Sequence, residues 1–209
     1  MKFPAHGLYA ITQTAGKPIT AVIRDVEAAL RGGAAVLQYR DKTPLDARYL
    51  GGQLARLCRA YRVPLLINDD VELALALDAD GVHLGKDDYA LEHARQRLGP
   101  DAIIGISCYN DIEKAREMQA RGADYVAFGR FFQSGTKPLA APAQIETLQI
   151  AKRTLTIPIV AIGGILPENG GRLLASGADL LAVVGGIFDG DPEVAARAYH
   201  ALFKPNQEE

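Results

Sequence analysis

Residues 63–88 read VPLLINDDVELALALDADGVHLGKDD. Two short apolar runs, Leu65–Asn68 and Gly81–Leu84, each close on polar residues: Asn68-Asp69-Asp70 after the first and Gly85-Lys86-Asp87-Asp88 after the second. Between them Val71–Leu77 carries an amphipathic helical pattern, and Asp78-Ala79-Asp80-Gly81 returns the chain. Strand, helix and strand joined by short links form a βαβ unit, with parallel strands and a right-handed crossover.

The unit recurs in both directions. Eight runs read as strands: Leu8–Thr12, Ala35–Arg40, Leu65–Asn68, Gly81–Leu84, Ile103–Ser107, Tyr125–Gly129, Ile159–Gly163 and Leu180–Val184. They are rich in Val, Ile, Leu and Ala, as strands covered on both faces should be. The segments Ala21–Arg31, Asp46–Tyr61, Val71–Leu77, Ala90–Leu98, Ile112–Arg121, Ile145–Lys152, Glu168–Ala175 and Pro192–Leu202 read as amphipathic helices. A small-residue lead-in precedes four strands, at Gly32-Gly33-Ala34-Ala35, Asp78-Ala79-Asp80-Gly81, Gly122-Ala123-Asp124 and Ser176-Gly177-Ala178-Asp179. In the three that have glycine first or second, a glycine C-cap ends the helix and permits a tight return.

The expected fold class is α/β, a (β/α)₈ TIM barrel, as a single domain over residues 1–209. Eight units of about 25 residues fit near the short limit of roughly 200 for this architecture. An open doubly wound sheet competes, but it usually has fewer strands and one crevice. Here all eight strand ends carry candidate groups, which favours the closed barrel. The active site of such a barrel lies at the carboxyl ends of its strands.

Composition bounds the function. With 48% hydrophobic and 23% charged residues the chain is ordinary for a globular protein. A net charge of −2 with no basic face argues against a general nucleic-acid partner. No apolar stretch approaches the roughly 20 residues a membrane span needs. The opening MKFPAHGLYAIT has no apolar signal core, so no secretory leader is expected. Cys58 and Cys108 fit neither a disulfide framework nor a zinc site and read as reduced thiols of a cytoplasmic protein. The sequence leaves open whether copies associate as a homo-oligomer.

The segment Arg130–Gln144, RFFQSGTKPLAAPAQ, is longer than the other links and holds Gly135, Pro138 and Pro142. A long loop on a working face is expected to be a lid or binding loop.

The strand ends carry the chemistry. Alternation turns Leu37 and Tyr39 toward the helices and Gln38 and Arg40 inward, with Lys42 just beyond. An inward Arg needs an anion, supplied by a ligand or by a structural carboxylate such as Asp41. With Lys137 on the long loop, three cations can meet at one rim, which suits a phosphorylated ligand. Asn68-Asp69 and Asp87-Asp88 end neighbouring strands and can hold Mg²⁺, which takes one or two protein carboxylates and fills its shell with water and phosphate oxygens. Asp70 and Asp87 fit helix caps better, leaving Asp69 and Asp88 as the metal candidates. Gly163-Gly164 and Gly185-Gly186 follow strands seven and eight, where barrels often bind phosphate through backbone N–H groups. For either pair alone, a tight turn is an equal explanation. His83 should face the interior as a hydrogen-bonded core histidine rather than a base. Cys108 has no histidine beside it in sequence to activate it.

Taken together, these residues resemble the thiamine-phosphate synthase family. The shared marks are Gln38-x-Arg40-x-Lys42, Ile67-Asn68-Asp69, Asp80-Gly81-Val82-His83-Leu84-Gly85 with Asp88, Ser107, Thr136-Lys137 and Ala161-Ile162-Gly163-Gly164-Ile165. The resemblance implies a Mg²⁺-dependent transferase that joins hydroxymethylpyrimidine diphosphate to a thiazole phosphate and releases diphosphate. It implies pyrimidine diphosphate contacts at Gln38, Arg40, Lys42, Asn68 and Lys137, with Arg40, Lys42 and Lys137 acting in catalysis. By the same resemblance Asp69 and Asp88 are Mg²⁺ ligands and Ser107 lies beside the pyrimidine ring. Ser134, Thr136, Gly164, Val184 and Gly185 correspond to positions that hold the thiazole phosphate. The chain departs from the family pattern at Lys86, where Gln is usual, at Gln133-Ser134, which replaces Pro-Thr, and at Gly185, which replaces Ser. Two alternatives stay open at this point: a thiazole tautomerase-like isomerase on a related barrel, and a non-catalytic barrel that binds phosphorylated ligands.

Overall fold

The computed structural model describes residues 1–85, 90–133 and 142–204. Eight strands, β1 (Gly7–Ile11), β2 (Ala34–Tyr39), β3 (Leu65–Asn68), β4 (Gly81–Leu84), β5 (Ile103–Tyr109), β6 (Tyr125–Gly129), β7 (Ile159–Ile162) and β8 (Leu180–Val183), pair in sequence order into a closed barrel. All the pairings are parallel, and β1 closes the ring on β8 with Tyr9 opposite Ala182. The helices are α1 (Ile19–Arg31), α2 (Ala47–Tyr61), α3 (Val71–Leu77), α4 (Ala90–Leu98), α5 (Ile112–Ala120), α6 (Ile145–Thr154), α7 (Pro167–Ala175), α8 (Gly185–Phe188) and α9 (Pro192–Ala201). The expected (β/α)₈ architecture is therefore present. Element ends differ by a residue or two from the sequence reading, and the short α8 was not anticipated.

Alternation divides the apolar residues into two cores. Leu8, Leu37, Tyr39 and Leu65 point outward and pack against the helices. Tyr9, Ile11, Val36, Leu66, Tyr125 and Val160 point inward and fill the barrel. An outer layer buried on its far side by helices and an inner layer buried on itself account for strands with no polar face.

The turns obey local chemistry. Asp46, Asp70, Asp111 and Asp191 cap α2, α3, α5 and α9, each accepting a first-turn N–H. Gly33, Gly122 and Gly177 take φ of 101°, 93° and 115° just past their helices, as glycine C-caps should. In the fourth lead-in Asp78 adopts φ 50° instead, a left-handed geometry that Asp tolerates better than most residues.

The lead-ins hold a second device that their spacing did not disclose. Asp80, Asp124 and Asp179 each turn a carboxylate back to accept an N–H of the preceding strand: Leu65 at 2.9 Å, Ile104 at 2.8 Å and Ile159 at 2.9 Å. Each also meets a cation, respectively the N-terminal amine, Arg95 and Lys152. These carboxylates stitch β3, β5 and β7 to the strands that follow, at the end of the barrel opposite the carboxyl rim.

Candidate active site at the carboxyl rim

Gln38 lies inside the barrel at 2% exposure and donates through Nε2 to the Tyr9 hydroxyl at 2.7 Å. Arg40 follows immediately after β2. Its backbone is held by Thr12, whose hydroxyl accepts the Arg40 N–H at 2.8 Å and donates to the Arg40 carbonyl at 2.9 Å. Among the described residues no carboxylate forms an ion pair with Arg40, so the pairing with Asp41 considered from sequence is not made. Asp41 instead accepts the Thr43 N–H at 3.0 Å, closing its own turn.

Lys42 reaches across the rim to β3, where its Nζ lies 3.6 Å from Asp69 Oδ2. Asn68 Nδ2 donates to the same oxygen at 2.5 Å. Asp69 holds a left-handed backbone, φ 63°, while its N–H bonds the His83 carbonyl at 2.9 Å. Asp tolerates this left-handed region better than most residues, as at Asp78. With Oδ2 occupied, Oδ1 faces Gly85 at the end of β4; a Cβ on Gly85 would sit 3.4 Å from it. Asp69 is therefore aimed at the neighbouring strand end, from which Asp88 would come four residues after Leu84. Asp88 itself lies outside the described residues, as do Ser134, Thr136 and Lys137.

Ser107 sits near the end of β5, with Oγ 2.9 Å from His83 Nε2, and the other ring nitrogen of His83 is 2.8 Å from the Tyr125 hydroxyl. His83 is thus the hydrogen-bonded interior histidine its alternation indicated. Cys108 is fully buried in the outer core, on the face of β5 turned away from the barrel interior.

On the far side of the rim, Gly164 follows β7 and Val184-Gly185 joins β8 to α8. The glycines after β7 have a packing reason. A Cβ on Gly163 would lie 2.2 Å from Arg130 Cβ, and one on Gly164 would lie 2.2 Å from the Gln133 carbonyl oxygen. The chain leaving β6 crosses directly over them, and Phe131 and Phe132 donate N–H bonds to Ile162 and Gly163 carbonyls. After β8, Gly185 and Gly186 open α8, where the first N–H groups have no helical acceptor. The long segment after β6 is closed at its base by the Ala143 N–H bonding the Arg130 carbonyl at 2.7 Å.

The structure therefore brings Gln38, Arg40, Lys42, Asn68, Asp69 and Ser107 to one half of the mouth and Gly164, Val184 and Gly185 to the other. The sequence assigns no role to Thr12, the last residue of its first predicted strand, nor to Tyr9 or Tyr125. The rhythm of the chain marks Tyr9 as an inward strand residue, but nothing local pairs it with a residue 116 positions away.

A family profile described as thiamine monophosphate synthase matches residues 8–187. The chain belongs to that family. It is 50% identical to the thiamine-phosphate synthase of Aromatoleum aromaticum over 201 residues, covering 95% of this chain and 96% of the relative. The thiamine-phosphate synthase of Methylobacillus flagellatus is likewise 50% identical, over 203 residues and 96% of each chain. Among solved structures, the thiamine phosphate pyrophosphorylase of Pyrococcus furiosus superposes with a TM-score of 0.85 at 34% identity, over 95% of each chain. The (S)-3-O-geranylgeranylglyceryl phosphate synthase of Thermoplasma acidophilum, at 17% identity and a TM-score of 0.73, shares the fold. The chain is thus a transferase of thiamine biosynthesis by family. No helix among the described residues is long and apolar enough to cross a membrane.

Proposed function

We propose that the chain condenses 4-amino-2-methyl-5-hydroxymethylpyrimidine diphosphate with 4-methyl-5-(2-hydroxyethyl)thiazole phosphate, giving thiamine phosphate and diphosphate, with Mg²⁺ at Asp69 and Asp88. The observation that carries the site assignment is the meeting of Arg40, Lys42, Asn68 and Asp69 on two adjacent strand ends, with Arg40 unpaired among the described residues.

The thiazole nitrogen is the nucleophile. Its lone pair forms the new C–N bond to the pyrimidine methylene, while the C–O bond breaks and its electrons leave with diphosphate. The protein needs no nucleophile of its own; it must neutralise the leaving group and align two rings. A bound diphosphate ester carries roughly −3, extending the monoester rule. Arg40, Lys42 and Lys137 supply +3 and take the charge that grows on the departing oxygen. Gln38 and Ser107 orient the pyrimidine, and Asn68 holds the Asp69 carboxylate. Ser134, Thr136, Gly164, Val184 and Gly185 hold the thiazole phosphate, partly through backbone N–H groups.

The residues fit a Mg²⁺ ion. It needs only one or two protein carboxylates, Asp69 Oδ1 is engaged by none of the described groups, and Gly85 leaves space on the side it faces. Held there by Asp69 and Asp88, the ion would supply positive charge that stabilises the leaving diphosphate. Residues 1–209 act as a single domain, since the first and last strands pair, and work in the cytoplasm, where Cys58 and Cys108, which form no disulfide, stay reduced.

The test is incubation with both phosphorylated heterocycles, with and without EDTA, following thiamine phosphate and diphosphate. Equimolar appearance of the two products, lost with EDTA and restored by excess Mg²⁺, is expected. No product with both substrates and Mg²⁺ present would overturn the reading.

A further inference from the structure

Five side chains from five strands form one unbroken hydrogen-bonded chain through the inside of the barrel. Gln38 Nε2 donates to the Tyr9 hydroxyl at 2.7 Å, and the Tyr9 and Tyr125 hydroxyls lie 2.8 Å apart. The Tyr125 hydroxyl is 2.8 Å from His83 Nδ1, and His83 Nε2 is 2.9 Å from Ser107 Oγ. Its two ends are residues proposed above to face the pyrimidine. Its middle three have no part in that proposal.

Each link has a direction, and with both phenols buried the orientation of the Gln38 amide sets them all. Tyr9 and Tyr125 are 1% and 0% exposed, and burial raises the pKa of both phenols, so each keeps one proton to donate. A buried hydroxyl that fails to donate costs free energy. The Tyr9 oxygen accepts from the Gln38 amide, so its own proton must go to Tyr125. The Tyr125 proton then goes to His83 Nδ1. An accepting Nδ1 bears no hydrogen, so the neutral ring carries it on Nε2 and donates to Ser107 Oγ.

We propose that this order fixes His83 as its Nε2–H tautomer and leaves the Ser107 hydroxyl proton to be donated toward the mouth. Gln38 Oε1, engaged by none of the described groups, remains an acceptor. An acceptor and a donor on facing strands complement an aminopyrimidine, whose exocyclic N–H donor adjoins a ring-nitrogen acceptor. Tyr9, Tyr125 and His83 are then positioning residues that act through Gln38 and Ser107. The ligand in this inference rests on the reading proposed above; the tautomer does not.

The barrel is built to seat Tyr125. A Cβ on Gly105 would lie 1.9 Å from Tyr125 Cζ, so only glycine at that place on β5 leaves the ring room. Phe3 stacks on one side with ring centres 4.0 Å apart, and the His83 ring lies 5.6 Å away.

Turning the Gln38 amide end for end would reverse every link, placing the hydrogen on His83 Nδ1 and making Ser107 an acceptor. The two orders differ in one observable. In the full-length, ligand-free protein labelled with ¹⁵N-histidine, the His83 ring should show a protonated Nε2 and an unprotonated Nδ1 at neutral pH, the signal being assigned by its loss in His83→Asn. Tyr125→Phe should turn that signal into a tautomer mixture. It should also raise KM for the pyrimidine diphosphate about tenfold, as loss of one positioned hydrogen bond does, with KM for thiazole phosphate unchanged. Phe3→Leu, which loosens packing on Tyr125 but keeps its hydroxyl, should lower Tm and leave the tautomer alone. A wild-type His83 protonated on Nδ1 overturns the proposal, and so does a folded Tyr125→Phe with unchanged tautomer and KM. The expected tautomer in a protein without condensation activity would uphold the proton order and remove the aminopyrimidine as its purpose.

Discussion

The Thr12 hydroxyl grips the backbone of Arg40 from both sides, accepting its N–H at 2.8 Å and donating to its carbonyl at 2.9 Å. The strand ladder has stopped one residue earlier on β1 and on β2, so this side chain extends the pairing by one step beyond regular structure. Arg40 is the first residue past β2, and the guanidinium proposed to meet the diphosphate needs a fixed base. Thr12→Val keeps shape and volume but removes both bonds. We expect kcat/KM for the pyrimidine diphosphate to fall about tenfold to a hundredfold, matching one or two neutral hydrogen bonds of roughly 1 kcal/mol each. Thr12→Ser should recover most of the loss. Steady-state kinetics on both variants decide it, and a loss in Thr12→Ser with wild-type values in Thr12→Val would show that the methyl group, not the hydroxyl, matters.

Lys42 and Asp69 are 60% and 52% exposed, so their 3.6 Å pairing contributes little to folding, within the roughly 0–1 kcal/mol typical of surface pairs. In the proposed reaction their value is electrostatic and local to the ligand. Asp69→Asn should therefore leave Tm nearly unchanged while lowering turnover by a hundredfold or more, the usual loss for one preorganised charge. In melting experiments the wild type should gain more from diphosphate with Mg²⁺ than from diphosphate alone. Asp69→Asn should lose that metal increment. An increment equal to that of the wild type would move the ion elsewhere.

At the opposite end of the barrel the expectation is reversed. Asp124 accepts the Ile104 N–H at 2.8 Å and pairs with Arg95 at 2.7 Å, and Arg95 also bonds the Ala102 and Gly122 carbonyls at 2.5 and 3.0 Å. Asp124→Ala leaves a strand N–H and a multiply bonded guanidinium without their shared acceptor. A loss of about 1–3 kcal/mol in stability follows, from partners left unsatisfied. Both KM values should stay at wild-type level. Chemical denaturation and kinetics on the same preparation separate the two readouts.

These contrasts show what the sequence can disclose. Alternation placed Gln38 inside and Tyr39 outside, because a strand's period of two is local information. The Asp70 cap was legible for the same reason: its acceptor role depends on Leu73, three residues on. Asp124 was not legible as a strand clamp, since the N–H it meets lies 20 residues earlier and across a strand boundary. Gly163 and Gly164 read as a phosphate site or a tight turn, whereas the chain from β6 crossing above them gives a packing reason that neither reading contains. The grouping of Lys42 with Asp69 followed from neighbouring strand ends in a closed barrel. The helix α8 was missed because four residues carry no periodicity.

The buried phenols set a limit at high pH. Tyr9, Tyr39, Tyr125 and Tyr199 are each at most 3% exposed, and burial is the largest cause raising every one of their pKa values. Tyr39, which Asp41 and Asp46 raise further, is pushed up to about 12. In the unfolded chain a phenol titrates near pH 10. Above that pH the unfolded state has released protons that the folded state still holds, so stability falls as pH rises. Each phenol contributes a slope of up to about 1.4 kcal/mol per pH unit, beginning near 10 and, for Tyr39, ending near 12 where the folded state also ionises. Four such groups acting together should unfold the protein cooperatively between about pH 10 and 12, since a typical domain has only about 5–15 kcal/mol to lose. Far-ultraviolet circular dichroism and phenolate absorbance should change together through that interval. Tyr39→Phe, which removes a hydroxyl without a hydrogen-bond partner among the described residues, should shift the alkaline midpoint upward without loss of stability at neutral pH. Phenolate absorbance that rises in full before the helical signal changes would show that these rings reach solvent in the folded state.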